Sequence, residues 1–519
     1  MSNEYDVILV TDVTATLFMH KPLGAAKLAS ILRDQGYTVL VLNHAHIFSM
    51  EEIKQVLAHA VSDRTLFIGF STYFYQHIGS AEITNDGPWN AGGIKYSPNI
   101  KGSMFPHGFE YNQEIKDFVR EINPKCKFVL GGPDAKDNHY ARDYDYVVLG
   151  YAERSIINLA EHLSKGVPLN KTRKSIFGPK IIEDILAEGY EFSTGTMSYT
   201  ESDIILPGET LSIEISRGCI FKCLFCGFPM NGKKKNDYIK NEELLFQEFL
   251  TNYEQYGVTR YLFCDDTLND SEEKISMILR VSKRLPFQLE YWAFTRLDLF
   301  GAYPHTIDML YESGLRAMYC GIETLDETAS KLIGKGAVRS KAVQTLNYIK
   351  SKYGDSISIN GSFIFGLPGE SIASMKSTAE MIVSGEIAID QWNVYPLLLF
   401  ENTTGDLFSS ELNANYGKYG YKSNGSENNV IFWESKITSF LECQDLANDT
   451  NARCNASLTQ KINSSESFYI AGLGFDLAKS LNKPLHTFNW HEVTLKKQER
   501  VAEYKRLLFK EIGYTCITS

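Results

Sequence analysis

The chain has 519 residues, 44% hydrophobic and 22% charged, which is typical of folded globular proteins. Lys and Arg number 52 against 63 Asp and Glu, and the net charge of −11 excludes a protein coated with basic groups for nucleic-acid phosphates. No stretch approaches the roughly 18 consecutive apolar residues of a membrane-spanning helix, and no cationic leader precedes an apolar run. We therefore expect a soluble, cytoplasmic protein of about three domains.

Residues 1–165 alternate short apolar runs with helical patterns, which predicts an α/β domain with a doubly wound, Rossmann-like parallel sheet. The runs suited to buried strands are 6–10, 38–42, 65–70, 127–132 and 146–150. Ligands of such sheets bind beyond the carboxyl ends of the strands. The candidate cofactor contacts at these ends are Ser71, Thr72, Gly131, Gly132 and Gly150. The same small residues also suit tight strand-to-helix turns, and the sequence leaves both interpretations open.

Residues 166–209 have little periodicity and are predicted to form a linker. The alternation then resumes over residues 210–400 and predicts a partial, TIM-like (β/α)6 barrel with its chemistry at the carboxyl ends of the strands. The predicted barrel strands are 211–216, 260–264, 288–294, 316–322, 357–365 and 391–398. Residues 401–519 are irregular, with helical signals near 436–448 and 492–511, and we expect this region to help determine the substrate.

Three of the nine cysteines crowd into one loop directly after the first barrel strand. Cys219, Cys223 and Cys226 have the spacing C-x3-C-x2-C, and thiolates are the usual ligands of iron–sulfur clusters. Structural zinc normally takes four ligands, and no second pair of cysteines or histidines lies nearby in the sequence. Three ligands on a four-iron cluster leave one iron open for chemistry. The alternative is a zinc- or cluster-stabilised binding protein without turnover.

This cysteine loop, with Phe225 before its last cysteine, resembles the signature of the radical SAM superfamily. Further similar motifs follow in order at 212–219, 263–267, 321–324 and 365–370. The first region resembles the cobalamin-binding domain that precedes many radical SAM enzymes, on Gly131-Gly132-Pro133 and on residues 145–153. It lacks the D-x-H-x-x-G string that supplies an axial histidine in other cobalamin proteins.

The resemblance implies that the three cysteines hold a [4Fe–4S] cluster whose open iron binds S-adenosylmethionine. Reductive cleavage of that cofactor gives methionine and a 5′-deoxyadenosyl radical, with an electron donor such as flavodoxin or ferredoxin. Glu323 is then placed to hydrogen-bond the ribose or the methionine amine, and Thr295 and Arg296 lie near the methionine carboxylate. The residues expected beside adenine are Phe225, Gly366, Pro368 and Gly369. Asp265 and Asp266 suit a proton acceptor or a helix cap.

The function that the resemblance implies is a cobalamin-dependent methyltransferase acting at an unactivated carbon of a small molecule or peptide. We expect the cobalamin without a histidine on its lower face. A rearrangement, epimerisation or oxidation without methyl transfer is the alternative within the same class of enzyme. Neither nucleic acid nor a membrane is expected as a partner.

Overall fold

The computed structural model describes residues 4–11, 21–71, 106–132, 135, 141–228, 230–233, 238–336, 339–401, 409–427, 430–456, 468, 470–476, 480, 483 and 487–514. These residues form two parallel sheets and a C-terminal region that contacts both of them. In the part of the chain described, no helix is long and apolar enough to cross a membrane.

The first sheet has seven strands in the order β2-β1-β3-β4-β5-β7-β6. They are β1 (Val7–Val10), β2 (Val39–Leu42), β3 (Phe67–Ser71), β4 (Lys127–Gly131), β5 (Tyr146–Leu149), β6 (Thr172–Lys174) and β7 (Lys180–Glu183). All pairs are parallel except β6 with β7. Since β1 lies between β2 and β3, the strand order reverses there and opens a crevice at the carboxyl ends of β1 and β3. The predicted doubly wound α/β fold is confirmed.

Four helices follow strands of this sheet: α1 (Leu23–Asp34), α2 (Met50–Ala60), α3 (Pro106–Ile122) and α4 (Glu153–Lys165). Buried residues of α1 and α4 pack on one face, and those of α2 and α3 pack on the other. Covering both faces explains why β1, β2 and β5 consist only of buried, mostly aliphatic residues.

The predicted linker contains two strands of the first sheet. β7 pairs with β5 in parallel register and β6 returns antiparallel beside it. Only Ile181 and Ile182 of these two strands are buried, so the sequence offers too short an apolar run to show periodicity.

The second sheet has six parallel strands in consecutive order, as predicted for a partial barrel. They are β8 (Thr210–Ile213), β9 (Arg260–Phe263), β10 (Glu290–Arg296), β11 (Leu315–Glu323), β12 (Ser358–Phe365) and β13 (Gln391–Pro396). Its helices are α5 (Glu242–Tyr256), α6 (Glu272–Arg284), α7 (Leu297–Ala302), α8 (His305–Ser313), α9 (Glu327–Leu332), α10 (Arg339–Tyr353) and α11 (Ile372–Val383). Side-chain caps from Asn241, Ser271, Asp326 and Ser371 start α5, α6, α9 and α11.

The C-terminal region divides between the two sheets. It contains α12 (Glu411–Ala414), a hairpin of β14 (Lys422–Glu427) and β15 (Val430–Glu434), α13 (Phe440–Asn455) and α14 (Trp490–Glu511). The hairpin and α13 pack on the barrel, where Asn451 Nδ2 donates to the Val394 carbonyl at 2.9 Å. α14 instead covers the first sheet, with Tyr504 and Leu508 buried in the same cluster as Ile8. The predicted helical character of this region is confirmed.

Candidate active site

The cysteine loop leaves the end of β8 and is anchored by residues that follow β9. The Asp265 carboxylate accepts the Ser216 backbone N–H at 2.5 Å and the Ser216 hydroxyl. Lys274 Nζ, fully buried, donates to Ser216 Oγ at 2.9 Å. Asp265 therefore holds the start of the loop, which accounts for its burial without a role in proton transfer. Its neighbour Asp266 accepts the Gly218 backbone N–H, and burial raises the pKa of Asp266 to about 6.

Each of the three loop thiols receives an N–H donor. The Phe221 backbone N–H donates to Cys219 Sγ at 3.5 Å, and Arg296 Nη1 donates to Cys223 Sγ at 3.1 Å. The Phe228 backbone N–H bonds to Cys226. Burial raises the pKa of the Cys219 and Cys226 thiols. Metal binding requires the thiolate form, and the N–H donors stabilise the negative charge on sulfur when metal replaces the protons. N–H donors to sulfur are the contacts that tune iron–sulfur clusters.

The thiols do not converge on a single point. Among the residues that the structure describes, no group of three His, Cys, Asp or Glu side chains could hold one metal ion. A zinc site requires such convergence, because all its ligands bind one atom. In a four-iron cluster each thiolate binds a different iron at a separate corner. A [4Fe–4S] cluster therefore does not require the three thiols to meet at one point.

Arg296 does not have the partner that was expected for it. Its Nε and Nη2 pair with the two carboxylate oxygens of Asp298 at 3.0 and 2.7 Å, and its guanidinium lies 3.8 Å from the ring centre of Phe221. The bidentate position expected for the cofactor carboxylate is thus taken by a protein carboxylate two residues further on. Arg296 instead holds Cys223 and the loop in place. The Thr295 hydroxyl donates to Met318 Sδ at 3.5 Å within the core. The cofactor contacts expected for Arg296 and Thr295 stay predictions.

Glu323 ends β11 in a left-handed conformation, with a φ of 67°, and is 8% exposed. A non-glycine residue in this conformation is strained, and such strain concentrates at functional sites. Lys335 Nζ lies 3.2 Å from Glu323 Oε1 and donates to the Gly321 carbonyl at 3.1 Å. The loop that carries Lys335 also touches the cysteine loop, through an N–H···O bond of 3.1 Å from Leu224 to Ile333.

Lys335 is the site residue that the sequence reasoning missed. It is 7% exposed and stands between Gly334 and Gly336, whose φ values are 78° and 65°. The sequence offered one signal for this residue: a lysine stands between two glycines, and neither glycine begins a helix or a strand. Its importance becomes visible only when the loop folds against Glu323.

The turn at residues 366–370 owes its glycines to protein packing. A Cβ on Gly366 would lie 2.6 Å from the ring of Trp433, and one on Gly369 would lie 2.9 Å from Leu332 Cδ1. Contacts with the hairpin and α9 therefore require glycine at both positions, and the expected adenine contact of Gly366 and Gly369 stays a prediction. The adenine contact of Pro368, in the same turn, stays a prediction. Phe225 packs half-buried against the barrel core, and its expected contact with adenine stays a prediction.

Glu370 closes this turn with both of its carboxylate oxygens. Oε2 accepts the backbone N–H groups of Gly366 and Leu367 at 3.0 and 3.3 Å, and Oε1 accepts the Thr324 hydroxyl at 2.5 Å. Burial raises the pKa of Glu370 from 4.5 to about 7. The turn is therefore sensitive to the protonation of one buried carboxyl group.

A Glu370→Gln variant is expected to become more stable than the native chain as the pH rises. The folded chain keeps a proton on Glu370 between pH 4.5 and about 7 that the unfolded chain has lost, so native stability falls across this window. The loss is on the order of 3 kcal/mol. Glutamine reproduces the neutral acid, since its oxygen accepts both N–H groups and its amide reaches Thr324. Urea denaturation of both proteins at pH 5 and pH 8 measures the difference. If the variant and the native chain differ in stability by the same amount at both pH values, the raised pKa of Glu370 is wrong.

At the carboxyl edge of the first sheet the candidate residues have different surroundings. Ser71 ends β3 half-buried, and Thr72 lies outside the described residues. A Cβ built on Gly131 meets no atom within 4 Å, and Gly132 has a φ of 106°. A Cβ on Gly150 would lie 2.4 Å from Ile185 Cα, so the backbone of the former linker requires that glycine. No atom of the described residues therefore crowds Gly131, whereas Ile185 requires glycine at position 150.

A buried ionic cluster joins this edge to the cysteine loop. Arg217, two residues before Cys219, pairs with Glu153 of α4 at 2.6 Å and with Glu214 at 2.8 Å. Lys27 of α1 pairs with Glu214 at 3.0 Å. Although burial alone would raise it, the charges of Lys27 and Arg217 lower the pKa of Glu214 to about 2. The guanidinium of Arg217 also lies 4.1 Å from the ring centre of Tyr151, directly after β5. The two sheets therefore meet where the cysteine loop begins.

Comparison with known proteins identifies the class of the second sheet. Residues 213–382 match the model of the radical SAM superfamily, so this part of the chain is a radical SAM domain. Enzymes of this superfamily use a [4Fe–4S] cluster to cleave S-adenosylmethionine.

The chain is similar to two curated proteins. An uncharacterized methyltransferase of Pyrococcus horikoshii, PH0819, is 25% identical over 321 residues, 58% of this chain and 67% of that protein. The hopanoid C-2 methylase of Rhodopseudomonas palustris is 23% identical over 285 residues, 53% of this chain and 51% of that protein. The chain thus spans only about half of the hopanoid enzyme.

One solved structure has the same fold over nearly the whole chain. It is TsrM of Kitasatospora setae, a radical S-adenosylmethionine methyltransferase with cobalamin and a [4Fe–4S] cluster bound. The match has a TM-score of 0.59 at 14% identity and covers 98% of this chain and 99% of that one. At this identity the likeness concerns the fold.

Proposed function

We propose that this chain is a cobalamin-dependent radical SAM methyltransferase that acts at an unactivated carbon. The observation that carries the proposal is the junction of the two sheets. Three loop thiols with N–H donors stand at the barrel's strand ends, and Arg217 ties the start of their loop to α4 of the first domain. A group bound at the crevice of the first sheet would therefore face a group bound on the cysteines.

Cys219, Cys223 and Cys226 are the proposed cluster ligands. A [4Fe–4S] cluster on them would supply the electron that cleaves S-adenosylmethionine, and cobalamin in the first domain would carry the methyl group to the substrate. The chain's own residues orient these groups and keep water away. Arg296 and Asp265 hold the loop in place at Cys223 and Ser216.

Glu323 and Lys335 are the proposed holders of the methionine end of S-adenosylmethionine. That end carries an ammonium and a carboxylate, and the two side chains present the complementary charges 3.2 Å apart beside the cysteine loop. A bound zwitterion can exchange partners with this ion pair without leaving a buried charge unpaired, which would be costly.

Residues at the edge of the first sheet have the properties that a large ligand requires. The Thr11 hydroxyl at the end of β1 is fully buried and has no partner among the described residues. Gly131 opens on free space at the end of β4. Both lie at the carboxyl edge where the strand order reverses, so we assign cobalamin to the first domain, without a histidine on its lower face.

The proposal extends to the domains and partners of the chain. We propose a cobalamin domain that includes residues 1–165 and continues through β7, followed by the barrel of residues 210–400. The partners are a one-electron donor such as flavodoxin or ferredoxin and a small-molecule or peptide substrate, in the cytoplasm.

Anaerobic reconstitution followed by titration with hydroxocobalamin tests the proposal. We expect saturable binding in the visible spectrum and conversion of S-adenosylmethionine to both S-adenosylhomocysteine and 5′-deoxyadenosine. A Gly131→Leu variant should weaken cobalamin binding by filling the open space, whereas Gly417→Leu, on an exposed turn of the C-terminal region, should not. Deoxyadenosine without homocysteine product or cobalamin binding would favour a rearrangement or oxidation. One bound zinc and no cleavage would indicate a binding protein.

A Glu323→Ala variant is expected to bind S-adenosylmethionine at least about tenfold more weakly while keeping the cluster's visible absorbance. The substitution removes one charge of the pair, and charge-assisted contacts to a ligand are strong. Equilibrium binding of S-adenosylmethionine to the reconstituted protein measures the effect. Glu327→Ala, on the exposed side of α9, is the control, and loss of the cluster in Glu323→Ala would mean that Glu323 is structural.

A further inference from the structure

The concave wall of the barrel differs from its helix-covered wall. Along β10, Tyr291 and Ala293 belong to the large core beneath the helices, whereas Trp292 and Phe294 face the other way. The same alternation places Tyr319 of β11 on the concave side. Side chains on this side line the interior of the partial barrel, and the cysteine loop leaves the end of its first strand.

One half of the concave wall is aromatic. The ring centres of Trp292 and Phe294 are 5.0 Å apart, and those of Phe294 and Tyr319 are 5.5 Å apart. Trp292 is 5% exposed, and its indole N–H has no hydrogen-bond partner among the described residues. Phe294 and Tyr319 are half-buried and border open space. This half of the wall therefore presents aromatic ring faces and the indole N–H of Trp292 to a bound molecule.

The other half of the wall is a network of neutral polar groups. Asn393 Nδ2 donates to Asn360 Oδ1 at 2.9 Å, and the Tyr395 hydroxyl donates to Asn393 Oδ1 at 3.3 Å. The Tyr319 hydroxyl lies near Ser362 and Asn393. Burial raises the pKa of Tyr319 to about 12, so this hydroxyl is neutral at physiological pH. The network contains no charged side chain.

The C-terminal region closes the lower end of this space. Phe468 and Ala471 pack against Leu262, Trp292 and Ala317. Arg260 Nη1 donates to the Ala471 carbonyl at 3.4 Å and holds the segment there. Residues beyond position 401 therefore close this end of the barrel.

The charged groups at the upper edge already have partners within the protein. Glu323 pairs with Lys335, Arg296 with Asp298, and Glu214 with Arg217. A charged substrate group placed against the wall below them would lose its water without gaining a counter-charge, and such burial is strongly unfavourable.

We infer that the part of the substrate that enters the barrel is an uncharged, largely apolar ring system with a neutral hydrogen-bonding group, such as an amide, hydroxyl or carbonyl. Carboxylates and phosphates are excluded from this part. The inference rests on the proposed function, because it takes the barrel space as the substrate site. Phe294 and Tyr319 would stack on the ring, and Asn393 and Tyr395 would bond the neutral group.

A matched pair of probes tests the inference on the full, reconstituted chain with S-adenosylmethionine bound. Indole-3-acetamide and indole-3-acetate have the same ring and differ in one neutral or charged group. We expect the amide to bind at least about tenfold more tightly in saturation-transfer NMR and calorimetry. Phe294→Ala and Asn393→Leu should each weaken the binding of indole-3-acetamide by about fivefold or more. Tyr395→Phe, which removes a single hydroxyl, repeats the test with less disturbance, and Asn424→Leu on the exposed hairpin is the control.

The outcomes separate this inference from the proposed function. Equal or tighter binding of the acetate, binding of neither probe, or unchanged affinity in all three wall variants would overturn the inference while cluster absorbance and S-adenosylmethionine cleavage persist. Absence of cluster and cleavage in the native chain would overturn the proposed function and this inference together.

Discussion

Replacing Cys223 by alanine is expected to abolish cleavage of S-adenosylmethionine, with a loss on the order of a thousandfold or more. The variant lacks one of three proposed cluster ligands, and Arg296 Nη1 loses the sulfur to which it donates at 3.1 Å. The chain should still fold, because Asp265 and Lys274 anchor the loop at Ser216 independently of the thiols. Only the chemistry of the loop should therefore fail.

Iron content, visible absorbance and 5′-deoxyadenosine release after anaerobic reconstitution measure this result. Cys454→Ala is the matched control, since Cys454 is a buried cysteine of α13. It should keep both cluster and cleavage. A Cys223→Ala protein that releases deoxyadenosine at the native rate would disprove the cluster assignment.

An Arg217→Ala variant is expected to lose about 3–5 kcal/mol of folding stability. The substitution leaves Glu153 and Glu214 buried without their shared partner, and their carboxylates have side-chain exposures of only 4% and 14%. It also removes the cation that lies 4.1 Å from the Tyr151 ring centre. Because this cluster joins the two domains, the loss should appear in the unfolding of both.

Urea denaturation compares this variant with Lys352→Ala, which breaks an ion pair of 2.7 Å with Asp308 whose partners are both 42% exposed. Exposed pairs contribute at most about 1 kcal/mol, so this control should change little. Adding Glu214→Gln to Arg217→Ala should recover part of the loss by removing one buried charge. Equal effects of Arg217→Ala and Lys352→Ala would mean that the junction cluster adds little to stability.

The repeating part of the fold was predictable from the sequence. The predicted helix near 492–511 is α14, which begins two residues earlier, and β11 extends the predicted 316–322 by one residue at each end. Both elements bury a regular apolar pattern, which the sequence displays directly. β6 and β7 were missed because a strand of four residues with two buried isoleucines relies on its neighbour β5 for stability.

The candidate site was predictable where its residues are close in sequence. The spacing of Cys219, Cys223 and Cys226 identified their loop, and Glu323 was found from its motif. The partners of Arg296 and the position of Lys335 were not, because each depends on how separate loops meet above the barrel. Likewise, the amphipathic pattern of α14 predicts a helix but not which apolar surface the helix covers.

The position of α14 has a consequence for the order in which the protein can be completed during synthesis. The ribosome makes the first sheet within the opening part of the chain, yet Tyr504 and Leu508, which cover Ile8 and its neighbours, emerge about 500 residues after Ile8. Until then the part of this apolar cluster that α14 covers remains open to water and to other unfinished chains. The first domain is therefore completed only after the barrel has been translated.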